Sequence, residues 1–227
     1  MVHDNGFVEL AAILAILIPS IVLHEVAHGW VADRLGDTTA RDAGRLTLNP
    51  VKHVDPFGSL LLPGMLALAG GTVFGWARPV PVQPARFARP WQGMAIVGLA
   101  GPATNLALAA AAGILGPFVD LRAGGGSPGV ELVSSLGVGL TSDSIWARMV
   151  FAFLVVNCAL ALFNMLPIPP LDGSRLLPLV LPARGRMLYA RYSPYGMLVI
   201  FALVFIVPGA LSWMGDVVAW LVRGVVP

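Results

Sequence analysis

Residues 7–32 read FVELAAILAILIPSIVLHEVAHGWVA, and they are apolar apart from a few polar side chains. The hydrocarbon core of a bilayer is about 30 Å thick and a helix rises about 1.5 Å per residue, so a run of this length can cross a membrane. The stretch therefore predicts a first transmembrane helix with the polar sequence HEVAH (24–28) at its C-terminal end.

The composition of the whole chain agrees with a membrane protein. Of its 227 residues, 57% are hydrophobic and 11% are charged, and the mean hydropathy is +0.81. An ordinary soluble domain has about 25% charged residues, so these values argue against a disordered chain, a nucleic-acid-binding module and most soluble enzymes. The single cysteine, Cys158, excludes an intrachain disulfide. We expect one membrane-embedded domain over residues 1–227, with the lipid bilayer and not nucleic acid as its surroundings.

Three further apolar stretches follow along the chain, at 92–116, 144–166 and 195–222. Together with the first helix they predict an all-α polytopic membrane protein with about four transmembrane helices. The stretch 195–222 is interrupted by Pro208-Gly209.

Two shorter segments lie between the first and second spans. Residues 58–74 are apolar but broken by Pro63-Gly64 and Gly70-Gly71, which predicts a re-entrant segment. Residues 45–51 alternate briefly between polar and apolar, which predicts a short β element after the first helix. We expect the edge of this strand to hold an extended substrate peptide beside the active site.

The sequence HEVAH has the spacing of a metal site. His24 and His28 lie four residues apart, so on a helix both imidazoles reach one ion, and Glu25 lies beside them to take a proton from a water on the metal. Ionisable side chains within a transmembrane helix are costly and need a function or partners. The pattern predicts a catalytic zinc ion with one open coordination position.

A third ligand must come from elsewhere in the chain. Asp172 lies directly after a span at the membrane edge, where a carboxylate needs a partner and zinc is a good one. Most other acidic residues lie in loops near arginines. The remaining histidines are His3, near the terminus, and His53.

Four motifs together resemble the site-2 protease family of intramembrane zinc metalloproteases. They are HEVAHGW (24–30), NPVKHVDPFG (49–58), GLAGPATN (98–105) and FNMLPIPPLDGSR (163–175). The resemblance extends from about Leu10 to Leu177, without a PDZ or nucleotide-sensing domain. It implies that His24, His28 and Asp172 bind one zinc ion and that Glu25 is the general base. It also implies cleavage of a peptide bond within or near a transmembrane segment of a membrane-protein substrate.

Three further residues are weaker candidates for contact with substrate. Asn105 in the second predicted span faces either the substrate or a neighbouring helix. Asn164, in the family interpretation, holds the substrate backbone or the oxyanion, and alternatively it caps a broken helix end. His53 contacts the site from its loop, or else pairs with Asp55.

The predicted ligands also fix the topology. HEVAH lies at the C-terminal end of the first span, and Asp172 follows the C-terminal end of the span 144–166. If both bind one ion, those two spans must run in the same direction, with one crossing between them. On this arrangement 11 of the 14 Lys and Arg residues lie on the motif side of the membrane. By the positive-inside rule that side is cytoplasmic. We expect a multi-pass protein of the cell (inner) membrane with its active site towards the cytoplasm and its N-terminus outside.

Two other functions compete with an intramembrane endopeptidase. A metal-binding membrane transporter accounts for ionisable residues inside the membrane but not for Glu25 between two ligands. A catalytically inactive scaffold is disfavoured by the intact set His24, Glu25, His28 and Asp172. The expected partner is a transmembrane protein or peptide substrate, and the sequence does not indicate an oligomeric state.

Overall fold

The computed structural model describes residues 5–68, 75–119, 145–207 and 209–225, and all regular elements of these residues are helical. The α-helices are α1 (Asn5–Arg34), α2 (Thr39–Asp42), α3 (Leu62–Leu68), α4 (Pro90–Leu115), α5 (Ile145–Asn164), α6 (Leu177–Val180), α7 (Ala183–Tyr192), α8 (Gly196–Phe201) and α9 (Ser212–Val225). Shorter 3-10 helices cover Pro50–His53, Pro84–Arg86, Gly116–Val119, Asp172–Leu176 and Ser193–Tyr195, and π-helices cover Pro56–Leu61 and Ala202–Ile206.

Four helical stretches are long and apolar enough to cross a membrane, which confirms the predicted all-α multi-pass protein. They are Leu14–Arg34, Pro90–Leu115, Trp146–Asn164 and Ala183–Ile206. The fourth begins earlier than the predicted 195–222, because α7, a 3-10 turn and α8 follow one another without a break. It also ends earlier: Gly209 has a φ of +72°, a left-handed conformation that favours glycine and separates α9 from the preceding helix.

The contacts between α1, α4 and α5 define their relative directions. Along α1, Ser20 and then His28 meet α4 at Asn105 and then Val97, so these two helices are antiparallel. Ser20 also meets Asn157 of α5, while Asp172 beyond the end of α5 meets His28. Helices α1 and α5 therefore run in the same direction, as the predicted ligand set requires.

The end of the bundle remote from the histidines is an apolar core. Phe151, Leu154 and Cys158 of α5 are buried against Val218 and Val222 of α9. Burial of such side chains contributes about 1.5–3 kcal/mol each, so this cluster keeps α9 on α5. This packing stabilises α5, and the C-terminal end of α5 leads to the loop that contains Asp172.

The predicted short β element at 45–51 is wrong, because the structure assigns no strand to these described residues. The side chain of Asn49 accepts a hydrogen bond from the Val51 amide at 3.0 Å and so begins the 3-10 helix Pro50–His53. Asparagine competes in this way for backbone N–H groups that a strand would need. No partner strand for these residues exists in the described part of the chain.

The re-entrant segment predicted at 58–74 is not found either, as far as the described residues extend. Its described part, up to residue 68, belongs to the π-helix Pro56–Leu61 and to α3. The Asp55 side chain accepts from the amides of Phe57 and Gly58, which fixes the start of this helical segment. Residues 69–74, where the chain would turn back, lie outside the described residues.

Candidate metal centre

Three electron-pair donors converge between α1 and the loop that follows α5. Nε2 of His24 lies 3.0 Å from Nε2 of His28, and Oδ2 of Asp172 lies 3.1 Å from each of them. All three side chains are buried. The structure thus brings the three predicted ligands together.

Glycines on α4 make room for this cluster. A Cβ at Gly101 would lie 2.5 Å from Nε2 of both histidines, and a Cβ at Gly98 would lie 2.9 Å from the carbonyl of Asp172. Real Cβ contacts are longer than this, so any side chain at Gly101 would displace the histidines. The small residues of GLAGPATN therefore serve the site, beyond the close helix packing that such residues usually provide.

Hydrogen bonds at Nδ1 set the orientation of both imidazole rings. Nδ1 of His28 donates to the carbonyl oxygen of Val97 at 2.7 Å, and that oxygen can only accept. Nδ1 of His24 lies 2.5 Å from Oδ1 of Asn105. With the proton at Nδ1, the neutral ring presents an electron pair at Nε2, which is the arrangement of most metal-binding histidines.

These donors fit a zinc ion. Two imidazole nitrogens and a carboxylate oxygen face one another at 3.0–3.1 Å, where their electron pairs repel unless a cation lies between them. In a tetrahedral zinc site with bonds of about 2.0–2.2 Å, neighbouring ligand atoms are about 3.3 Å apart. Three protein ligands leave the fourth position for water or substrate, as in catalytic zinc sites.

The loop around Asp172 is held rigidly in place. Gly173 packs directly against the carbonyl of Met165, with no space for a side chain. Burial tends to raise the pKa of the Asp172 carboxyl, but the positive charge of the Arg175 guanidinium, 3.3 Å from its Oδ1, lowers it. Asp172 is therefore an ionised carboxylate, the form that binds a metal.

The proline-rich segment that contains Val80 orients the side chain of Glu25. The backbone amide of Val80 donates to Oε2 of Glu25 at 2.9 Å. This approach depends on Gly29, one helical turn after Glu25, because a Cβ there would lie 2.9 Å from the side chain of Val80. The adjoining carbonyl of Arg78 accepts from the buried Arg45 guanidinium at 2.7 Å.

A cavity of about 360 Å³ adjoins the metal ligands and Glu25. Its walls come from α1, the segment 75–80, the end of α5, the Asp172 loop and α8. Most of the lining is apolar, and it includes Ile21, Trp76, Leu160, Phe163, Met197 and Ile200. Asn164 also lines this cavity. Its Nδ2 donates to the carbonyl of Leu160 at 3.0 Å, and an amide has a second N–H for a ligand.

The structure bears on the alternatives that the sequence left open for Asn105 and His53. Asn105 is fully buried and faces His24 and α5, because it lies on the same side of α4 as Gly98 and Gly101. His53 is buried, its Nε2 donates to the carbonyl of Thr47 at 2.9 Å, and it is not among the described residues that line the cavity. His53 instead anchors the segment 75–80, since its own carbonyl accepts from the Arg78 amide.

Sequence reasoning missed four residues around the site: Gly29, Arg45, Asn157 and Arg175. An asparagine in an apolar span is a visible signal for Asn157, two helical turns before Asn164. Gly29 directly follows the second histidine. Arg45 and Arg175 carry no signal in the sequence that separates them from the other loop arginines.

The site has two histidines and an aspartate around one open position, with a glutamate beside them. In a helical membrane protein, this arrangement is that of a metal-dependent hydrolase. The chain belongs to peptidase family M50, the site-2 protease family, whose model matches residues 11–207. The resemblance seen in the sequence is thereby confirmed. The family uses zinc, so the protein is a zinc metallopeptidase.

Two relatives agree with this membership. The chain is 39% identical over 205 residues, 90% of its length, to "Putative zinc metalloprotease YwhC" of Bacillus subtilis (strain 168), of which the match covers 82%. It is 33% identical over 206 residues, 88% of its length, to "Putative zinc metalloprotease Rip2" of Mycolicibacterium smegmatis, of which the match covers 69%. No solved structure matches the chain significantly.

Proposed function

We propose that this protein is an intramembrane zinc endopeptidase that hydrolyses peptide bonds within or near transmembrane segments of membrane proteins. The observation that carries the proposal is the depth of the site. His24, Glu25 and His28 all lie within the membrane-crossing stretch Leu14–Arg34, and Asp172 reaches them from beyond α5. A soluble substrate would have to enter the bilayer to reach this site.

The chain's own residues have defined tasks in this reaction. When bound, zinc polarises the scissile carbonyl and lowers the pKa of a coordinated water to about 7. Glu25 accepts a proton from the attacking water and passes it to the nitrogen of the leaving amine as the C–N bond breaks. The water oxygen remains on the carbonyl carbon, so the products are a carboxylate end and an amine end. The second N–H of Asn164 stabilises the oxyanion.

The cavity supports a membrane-embedded substrate. Its walls are mainly apolar, which suits the side chains of a transmembrane segment. A peptide that enters as a helix cannot be hydrolysed, because its carbonyls are hydrogen-bonded internally. We therefore expect substrates with helix-breaking residues near the cleaved bond.

The distribution of positive charges supports an orientation in the cell membrane. We propose that the site lies towards the cytoplasmic side and that the N-terminus lies outside.

The proposal is tested with purified protein and a model transmembrane peptide containing Gly and Pro near its centre. Glu25→Gln should retain zinc and lose about 10²–10⁴-fold in cleavage rate, since general base catalysis contributes that much. A zinc chelator should abolish cleavage by the wild type. The exposed carboxylate Asp216 on α9 provides the control, and Asp216→Asn should cleave normally.

Two results would oppose the proposal. Cleavage by Glu25→Gln at the wild-type rate would remove Glu25 as the general base. Zinc binding without cleavage of any transmembrane peptide would favour a metal-binding membrane protein of another class.

A further inference from the structure

Three uncharged polar side chains lie inside the apolar bundle. They do not line the cavity and are not exposed to solvent. They are Ser20 on α1, Asn105 on α4 and Asn157 on α5, each with 0% of its surface exposed. Each falls within a stretch that can cross a membrane. Burial of such groups costs free energy unless they are hydrogen-bonded. We refer to these three residues as the buried polar chain.

The buried polar chain connects α5 to His24 through successive hydrogen bonds. Nδ2 of Asn157 donates to Oγ of Ser20 at 2.9 Å, and Oδ1 of Asn157 accepts from Nδ2 of Asn105 at 2.8 Å. Oδ1 of Asn105 then lies 2.5 Å from Nδ1 of His24. Helices α1, α4 and α5 thus all contribute to the position of the His24 imidazole.

Backbone carbonyls fix the direction of every bond in the buried polar chain. Oγ of Ser20 donates to the carbonyl of Ile16 at 2.8 Å, and Nδ2 of Asn157 donates to the carbonyl of Phe153 at 2.8 Å. If the Asn157 amide were turned over, its oxygen would face the carbonyl of Phe153 and repel it. Its oxygen therefore faces Asn105, whose own oxygen must then face His24.

We infer that Asn157 is a positioning residue for zinc binding: through Asn105 it keeps the proton of His24 on Nδ1, so that the Nε2 electron pair faces the metal. This inference rests on the proposed zinc site and adds a residue outside the ligand set. Groups that orient metal ligands affect metal affinity as well as structure.

The two histidines differ in how they are held, which explains why His24 needs such support. His28 donates to a backbone carbonyl, that of Val97, which helix α4 fixes in place. His24 donates to a side-chain amide, which can rotate about its χ angles. The hydrogen bonds that Asn105 donates to Oδ1 of Asn157 and to the backbone carbonyl of Ser20 remove that freedom.

A purely structural role predicts a different result. Polar side chains also hold membrane helices together through interhelical hydrogen bonds. If the buried polar chain only joined the helices, its loss would lower the unfolding temperature but leave zinc affinity unchanged. Zinc affinity therefore separates the two roles.

The experiment compares zinc affinity, measured by competition with a chelator at one pH, with the unfolding temperature of the metal-free protein in detergent. Asn157→Leu keeps the branched shape with the same number of non-hydrogen atoms and removes the hydrogen bonds, and we expect zinc to bind about tenfold more weakly. The matched control is Val155→Ala, which opens a cavity in the apolar core of α5. It should lower the unfolding temperature without changing zinc affinity.

A milder pair of variants keeps the test decisive if Asn157→Leu does not fold. Ser20→Ala should weaken zinc binding by about threefold, and Ser20→Thr, which retains the hydroxyl, should restore it. Wild-type zinc affinity in both Asn157→Leu and Ser20→Ala, or in Ser20→Ala alone if Asn157→Leu does not fold, would overturn the inference. Because zinc affinity is measured without peptide, a failure of the protease assay would not be mistaken for a failure of this inference.

Discussion

The backbone amide of Val80 donates a hydrogen bond to Oε2 of Glu25 across 2.9 Å. The glutamate beside the two histidines is therefore oriented by a residue far away in the sequence. The segment that carries Val80 is fixed in turn by Arg45, whose Nη2 donates to the carbonyls of Arg78 and Pro79 at 2.7 and 3.4 Å. Loop residues thus determine which oxygen of Glu25 is left to accept a proton.

Arg45 should accordingly affect catalysis without affecting zinc content. We expect Arg45→Ala to lower kcat by about tenfold, because the 78–80 segment loosens and Glu25 loses its orientation. Arg45→Lys should recover part of the rate. Arg41→Ala is the control, since Arg41 is exposed and pairs with Asp33. Unchanged kcat in Arg45→Ala would show that the segment is not needed to orient Glu25.

Replacement of a ligand should remove the metal. His24→Ala, His28→Ala and Asp172→Ala should each lower the zinc content of the purified protein, whereas Glu25→Gln should keep it, because only the first three donate electron pairs to the ion. Metal analysis of the four variants measures this. Full zinc occupancy in Asp172→Ala would exclude Asp172 from the ligand set.

Gly101→Ala should abolish zinc binding even though it adds a single methyl group. The new Cβ would lie 2.5 Å from Nε2 of both histidines, at the place where their electron pairs converge. Gly224→Ala on α9 is the matched control, because its new Cβ would meet nothing within 4 Å apart from its chain neighbours and its own helix backbone. It should leave zinc content and cleavage unchanged. Normal zinc binding by Gly101→Ala would mean that the metal lies elsewhere.

Asp37 should make the stability of the loop region depend on pH. Its carboxylate is fully buried, and burial tends to raise its pKa, but hydrogen bonds from Thr39 and the Gln83 amide and the charge of Arg86 lower it below the ordinary 3.8. A lowered pKa in the folded state stabilises the fold above pH 3.8, and this stabilisation is lost as the pH falls through the lowered value.

The comparison is therefore between Asp37→Asn and the wild type at two pH values. At pH 7 we expect Asp37→Asn to unfold at a lower temperature, and the difference should shrink as the pH falls below 3.8. Metal-free protein is used, so that loss of zinc at low pH does not contribute. A difference that stays constant over this range would mean that the Asp37 charge adds nothing to stability.

The sequence alone predicted the all-α membrane fold and the three candidate ligands. Apolar runs of membrane-crossing length predict the helices because a bilayer leaves few other ways to satisfy backbone hydrogen bonds. The pair His24 and His28 is visible because four residues make about one helical turn, and that spacing is local. Asp172 was found because a carboxylate at a membrane edge needs a partner. Each of these inferences uses neighbours in the chain or the solvent, and none needs a tertiary contact.

The groups that orient these residues become visible in the tertiary structure. The strand predicted at 45–51 depended on a partner that the described residues do not provide, and Asn49 begins a 3-10 helix at Pro50, within the predicted strand. The contacts from Val80 to Glu25 and from Asn157 through Asn105 to His24 join residues more than fifty positions apart. Such contacts depend on how helices pack and which small residues let them approach, as at Gly29 and Gly101. Local sequence patterns mark Asn105 and Asn157 as polar residues in apolar spans but carry no information on what they contact, so the ligands could be predicted and the contacts that hold them could not.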